Sequence, residues 1–122
     1  MTASCSNRLF HAALPEDWAA AQATGVYERS TRGRSLAEEG FIHASYESQV
    51  EATVNRFYTD LEELVLLEID RERLDIDVID ESPTGDPAEE HFPHLYGPLA
   101  VAAVDAATPW RRTEGEPWRL PG

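Results

Sequence analysis

The run Leu64-Val65-Leu66-Leu67-Glu68-Ile69 limits the fold of this 122-residue chain more than any other segment. Five of its six residues are large and apolar, and Asp70 ends it. Apolar residues at consecutive positions put hydrophobic side chains on both faces of an extended backbone. That pattern belongs to a strand in the interior of a sheet, covered above and below. The rest of the chain therefore has to supply neighbouring strands and covering helices.

Those partners are readable. Leu9 to Leu14 forms a short first strand. Pro15 then opens a helix, with Glu16 and Asp17 favourably placed in its first turn, Trp18 and Ala21 following, and Gly25 as its stop. Val26 to Ser30 reads as a short strand before the turn Arg32-Gly33-Arg34-Ser35. Phe41 to Ser45 reads as another, with Ile42 and Ala44 on one side and Phe41, His43 and Ser45 on the other. Val50, Val54, Phe57, Tyr58 and Leu61 recur at helical spacing behind a Ser48/Glu51 capping-box pattern.

Leu74, Ile76 and Val78 alternate with Asp75 and Asp77, predicting a strand with one wet face. Ser82 to Glu90 is a loop, and Leu99 to Val104 a further strand. Five or six strands with two substantial helices describe an α+β domain over residues 1–107. Residues 108–122 form a tail rich in proline and tryptophan that wraps the surface or frays.

Composition narrows the functional classes. A hydrophobic fraction of 42% supports an ordinary core, and the single Cys5 excludes an internal disulfide. The net charge of −13 opposes the phosphate neutralisation on which nucleic-acid binding depends. All ten basic residues are arginine, which suits at most a small local anion site. No apolar stretch is long enough for a membrane helix, and the first twenty residues lack a signal-peptide pattern. The expectation is a soluble cytoplasmic protein with no nucleic-acid or membrane partner.

Proton chemistry near neutrality falls to histidine, and the four histidines are His11, His43, His91 and His94. His43 shares a predicted strand face with Ser45, suited to a sugar hydroxyl or a phosphate. In His91-Phe92-Pro93-His94-Leu95-Tyr96-Gly97, Pro93 fixes the backbone and Gly97-Pro98 closes the segment. This reads as an ordered loop, with Phe92 or Tyr96 to cover a planar ring and His94 to exchange hydrogen bonds with hydroxyls. His91, beside Glu89 and Glu90, belongs on the surface. Glu81 leaves a strand close to the histidine segment.

Three histidines, or two and a carboxylate from Asp86, Glu89 or Glu90, would satisfy a divalent metal. Yet His-x-x-His across a proline is no helical ligand pair, so no metal ligand is assigned. Phosphate-loop and nucleophile-elbow signatures are absent, and Cys5 has no positioned partner.

Laid end to end, several segments resemble a family of small one-domain bacterial proteins of unknown function. They are Phe10-His11, Trp18, Gly25-Val26-Tyr27, Glu39-Gly40-Phe41-Ile42-His43-Ala44-Ser45, Gln49-Val50, Asn55-Arg56-Phe57-Tyr58, Leu66-Leu67-Glu68-Ile69-Asp70 and Phe92-Pro93-His94-Leu95-Tyr96-Gly97. That family is grouped with the ADP-ribosyltransferase-like superfamily, which includes RNA 2′-phosphotransferases. The resemblance implies a split, mostly antiparallel sheet with two main flanking helices and a cleft for NAD or an ADP-ribose-like ligand. It places His11 at a ribose-binding position on an early strand, and His43 with Ser45 at a second position. The third position is often a glutamate, and here the His94 segment stands in its place.

The resulting expectation is a small nucleotide-like ligand held by His11, Ser45, Phe92 and Tyr96, with His43 and His94 as candidate catalytic residues and NAD as substrate or ligand. A binding module without turnover and a metal-dependent hydrolase are the competing readings.

Overall fold

The computed structural model describes residues 8–82 and 89–121; Cys5, Asp86 and most of the Ser82–Glu90 loop lie outside them. The apolar run becomes strand β6 (Glu63–Asp70), central in an antiparallel sheet between β1 (Arg8–Ala13) and β10 (Val104–Arg111). Its side chains alternate between two cores. Leu64 and Leu66 join Phe10, Val50, Val54, Trp110 and Trp118 on one face. Leu67 and Ile69 join Leu9, Trp18, Tyr27, Ile42 and Leu95 on the other. A strand with two buried faces needs an unbroken apolar sequence, which explains the run.

Each face has its helix. Helix α1 (Pro15–Thr24) buries Trp18 and Ala21 and ends at Gly25, whose φ of +88° lets its N–H reach Ala21 O at 2.7 Å. Helix α3 (Glu47–Phe57) buries Val50 and Val54 against the other face. Its start differs from the Ser48/Glu51 expectation by two residues. Gln49 Oε1 accepts from the Tyr46 N–H at 3.0 Å, while Glu51 accepts from Leu120 N at 2.8 Å, so it serves the C-terminal segment.

A second antiparallel sheet runs β5 (Ile42–His43), β8 (Phe92–Tyr96), β7 (Asp77–Glu81). Two-residue and three-residue strands complete the architecture: β2 (Val26–Tyr27) pairs with β9 (Leu99–Ala100), and β3 (Arg29–Thr31) pairs with β4 (Arg34–Ser35). A one-turn helix, α2 (Leu36–Glu39), follows, capped by Ser35 and Glu38 and closed by Gly40 at φ +92°. The fold is α+β, mostly antiparallel, with three α-helices among the described residues. No described helix is long and apolar enough to cross a membrane.

Several sequence expectations are corrected. Within His91–Gly97, expected as an ordered loop, Phe92–Tyr96 forms strand β8. The Leu74–Val78 strand begins only at Asp77, after a 3₁₀ turn at Arg71–Arg73, although Leu74 and Ile76 still pack on the core. Leu99–Val104 divides into β9, a 3₁₀ turn at Val101–Ala103 and the start of β10. The tail boundary at residue 108 falls inside β10, and Trp118 is buried rather than frayed.

Gly97 is demanded by packing. A Cβ there would lie 2.5 Å from Ile76 Cγ2, well inside contact distance. Gly97→Ala should therefore destabilise the protein by about 1–3 kcal/mol, the usual range for overpacking. The midpoint of urea unfolding measures it, and an unchanged midpoint would refute the close packing. In an Ile76→Ala background the loss should shrink.

Candidate functional site

The two faces of the β5-β8-β7 sheet follow from period-two alternation. Ile42 pairs with Leu95, and both point into the core. One residue on, His43 pairs with His94, so those two share the outer face. On β7, Ile79 stands opposite His94, Glu81 opposite Phe92, and Asp77 opposite Tyr96. Pairing alone thus gathers His43, His94, Phe92, Tyr96 and Glu81 on one surface.

Phe41 covers that surface. Its ring lies parallel to His94 at 4.1 Å and 16°, meets His43 edge-on at 4.8 Å, and reaches Tyr96 at 5.4 Å. The two imidazoles stand 5.2 Å apart at 81°. Beneath this cover His94 is only 1% exposed.

Hydrogen bonding fixes the ring of His94. Its Nδ1–H donates to Glu81 Oε1 at 2.9 Å, and the Tyr96 hydroxyl donates to the same oxygen. Those two donors, Tyr96 first, hold the Glu81 carboxyl below its ordinary pKa. The carboxylate in turn pushes the Tyr96 phenol up to about 12. His94 Nε2 is enclosed and has no hydrogen-bond partner among the described residues. An unpaired buried polar atom costs about 1–3 kcal/mol and is rare in a native fold.

His43 is half-buried. Its Nε2 faces Glu39 Oε1 at 3.5 Å, and the other Glu39 oxygen accepts from Arg34 Nε at 3.0 Å. Burial lowers the His43 pKa and the neighbouring His94 adds to the effect, while Glu39 opposes it. The ring is therefore biased toward its neutral form, able to donate from one nitrogen and accept at the other.

The residues match the family model described as a protein of unknown function, DUF952, over positions 12–107. The chain belongs to the DUF952 family. Similar solved structures are the X-ray structure of protein CC0527 from Caulobacter crescentus and the solution NMR structure of the same protein. The first has a TM-score of 0.74 and 31% identity over 90% of this chain and 92% of that one. The second has a TM-score of 0.69 and 30% identity over 86% and 85%. No curated protein matches.

The part of the chain matched to DUF952 includes Glu39, Phe41, His43, Glu81, His94 and Tyr96, whereas His11 falls just before it. His11 also lies outside the outer-face cluster. Its side chain shares the inward face of β1 with Leu9 and Ala13 and is 5% exposed. Nδ1–H donates to the His43 carbonyl at 2.5 Å, and Nε2 accepts from the Tyr27 hydroxyl at 2.9 Å. With both nitrogens taken, His11 holds the peptide of His43 from the core side and offers no atom to a ligand.

Ser45 is likewise buried, tied by its backbone to Phe10 in a bridge of 2.7 and 2.8 Å. His91 is exposed, and its carbonyl accepts from Gln49 Nε2 at 2.8 Å.

The structure brings forward Phe41, which was not among the candidate site residues, and draws in Glu81, noted in the sequence only for its closeness to the histidine segment, with Glu39 behind them. The signal for Glu81 was the alternation along β7: once β7 pairs with β8, a carboxylate two residues past Ile79 must share the face of His94. No group of three His, Cys, Asp or Glu is arranged to hold a metal among the described residues. Surface clefts of about 510 and 700 Å³ lie elsewhere, around Asp60, Glu62 and Arg112, and neither contains a histidine.

Proposed function

We propose that the outer face of the β5-β8-β7 sheet is a ligand site of the NAD or ADP-ribose type. The observation that carries this reading is the enclosed, unpaired Nε2 of His94 beside a stacked aromatic ring. Tyr96 offers a ring to a planar group, and the place that the Phe41 ring fills against His94 suits one, with each aromatic pair worth about 0.5–1.5 kcal/mol beyond buried area. His43 supplies a neutral imidazole suited to a ribose hydroxyl. The resemblance to ADP-ribosyltransferase-like proteins favours a nucleotide over other planar ligands. The overall charge of −13 favours one small ligand over a polyanion.

Thermal melting of the metal-free protein with NAD, ADP-ribose, a 2′-phosphorylated nucleotide or a divalent metal tests the reading. A true ligand at one hundred times its Kd stabilises by about 2.7 kcal/mol, and the shift grows with concentration. NAD or ADP-ribose should raise the melting temperature, and His43→Ala should remove most of the rise. A shift with zinc or manganese alone, or a nucleotide shift indifferent to His43→Ala, would overturn it.

A further inference from the structure

The ligand reading leaves one feature of the cluster without a task, the way Glu81 fixes which nitrogen of His94 is free. A neutral imidazole carries one N–H and one lone pair. Glu81 accepts the N–H at Nδ1, so the lone pair resides at Nε2, the nitrogen with no partner. Tyr96 donates to the same carboxylate and keeps it anionic and aimed at the ring. A carboxylate behind an imidazole orients it and offsets the positive charge it acquires on taking a proton. A histidine needed only for packing has no use for this arrangement, because a buried lone pair is a liability to stability.

We infer that His94 is the general base of this site, oriented by Glu81, and that it activates a neutral oxygen nucleophile, water or an alcohol hydroxyl. The inference rests on the nucleotide reading. The chemistry balances with one base and no acid. The bond between the ribose C1′ and the nicotinamide nitrogen breaks, and its electron pair neutralises the pyridinium, so nicotinamide leaves without needing a proton. The acceptor oxygen bonds to C1′ while its proton passes to His94 Nε2 and then to solvent.

Substrate class follows from this. A carboxylate or other anionic acceptor would need no base and would be repelled by Glu81. The base becomes reachable when the half-buried Phe41 ring yields its place against His94 to the ligand.

The test uses the full chain with NAD in water and with methanol added as acceptor, following nicotinamide and the methyl glycoside of ADP-ribose. The melting shift with NAD is recorded in parallel. The unaltered protein should release nicotinamide. His94→Ala should lower kcat about 10²–10⁴-fold, the usual contribution of a positioned base, keep an NAD-dependent melting shift, and recover in part with added imidazole. Glu81→Gln, at a half-exposed side chain that spares the core, should lower kcat with KM little changed. It should also move the basic dependence of the rate to lower pH, which a purely structural role would not do.

A melting shift with NAD but no nicotinamide release, or a kcat untouched by both substitutions, would overturn His94 as base and leave the ligand site standing. No shift with any nucleotide would remove both.

Discussion

Trp118→Ala should lower the free energy of unfolding by about 3–5 kcal/mol, the usual range for removing a buried tryptophan. The ring is 1% exposed and packs edge-on against Trp110 at 5.2 Å and 70°. Its Nε1–H donates to Tyr58 O at 2.9 Å, which satisfies a carbonyl at the end of α3. Asn55 clamps the backbone on either side, accepting from Trp118 N at 2.6 Å and donating to Trp118 O at 2.9 Å. The Arg112 guanidinium lies 5.7 Å from the ring centroid and donates to the carbonyls of Leu61, Glu116 and Thr59.

Alanine would leave a cavity between α3 and β10 and strip the Tyr58 carbonyl of the shorter of its two hydrogen bonds, leaving only Leu61 N at 3.3 Å. A domain of this size is stable by about 5–15 kcal/mol, so the loss would approach its whole margin. Urea unfolding measures it as a fall in midpoint at constant slope. Arg119→Ala, at an exposed neighbour, should stay within about 0.5 kcal/mol. A Trp118→Ala loss as small as that one would refute the packed tail.

The tail escaped the sequence because β10 is an edge strand. Its outward positions are polar or small, its inward positions are Ala106, Thr108 and Trp110, and Pro109 interrupts it. Proline is tolerated on an edge, where no further strand needs its N–H, but it erases the local signal. β6 was legible for the opposite reason, since burial on two faces leaves no polar position to confuse its pattern. Pro93 misled in a similar way within β8. Toward β5 it contributes only its carbonyl, to Ala44 N at 3.1 Å, and β5 ends at His43, so the missing N–H leaves no gap in the ladder.

The site was half legible. His43, His94 and Tyr96 could be chosen by residue type, and a strand pairing brings them together. Which face His11 takes was also in the sequence, because Leu9 and Ala13, two residues either side, are apolar and drag it inward. The family resemblance spoke for a ligand contact there, and alternation spoke against it. Glu81 depended on knowing that β7 pairs with β8 across a long connection, a relation that local pattern does not carry.

Acidification should destabilise the protein through His11. Burial lowers its pKa from 6.5 to about 4, against a smaller opposing effect from the His43 carbonyl, and the nearby His43 ring adds to the depression. Between those two values the unfolded chain holds a proton at this position and the folded chain does not. Stability therefore rises with pH across the window, and lowering the pH from 6.5 to 4 removes about 3 kcal/mol. Below about 4 both states are protonated and this group contributes no further slope.

The geometry gives the cost its form. To take a proton, Nε2 must stop accepting from the Tyr27 hydroxyl, which is itself locked in its neutral state because burial raises its pKa. His11→Gln keeps a polar side chain without titrating, so its urea midpoint should fall less between pH 6.5 and 4 than that of the unaltered protein. Carboxylates and His43 titrate in both proteins and cancel in the comparison; parallel curves would refute the assignment. Protonated His11 still donates from Nδ1 to the His43 carbonyl, so the contact behind the outer face persists and the cost falls on Nε2 and the Tyr27 hydroxyl.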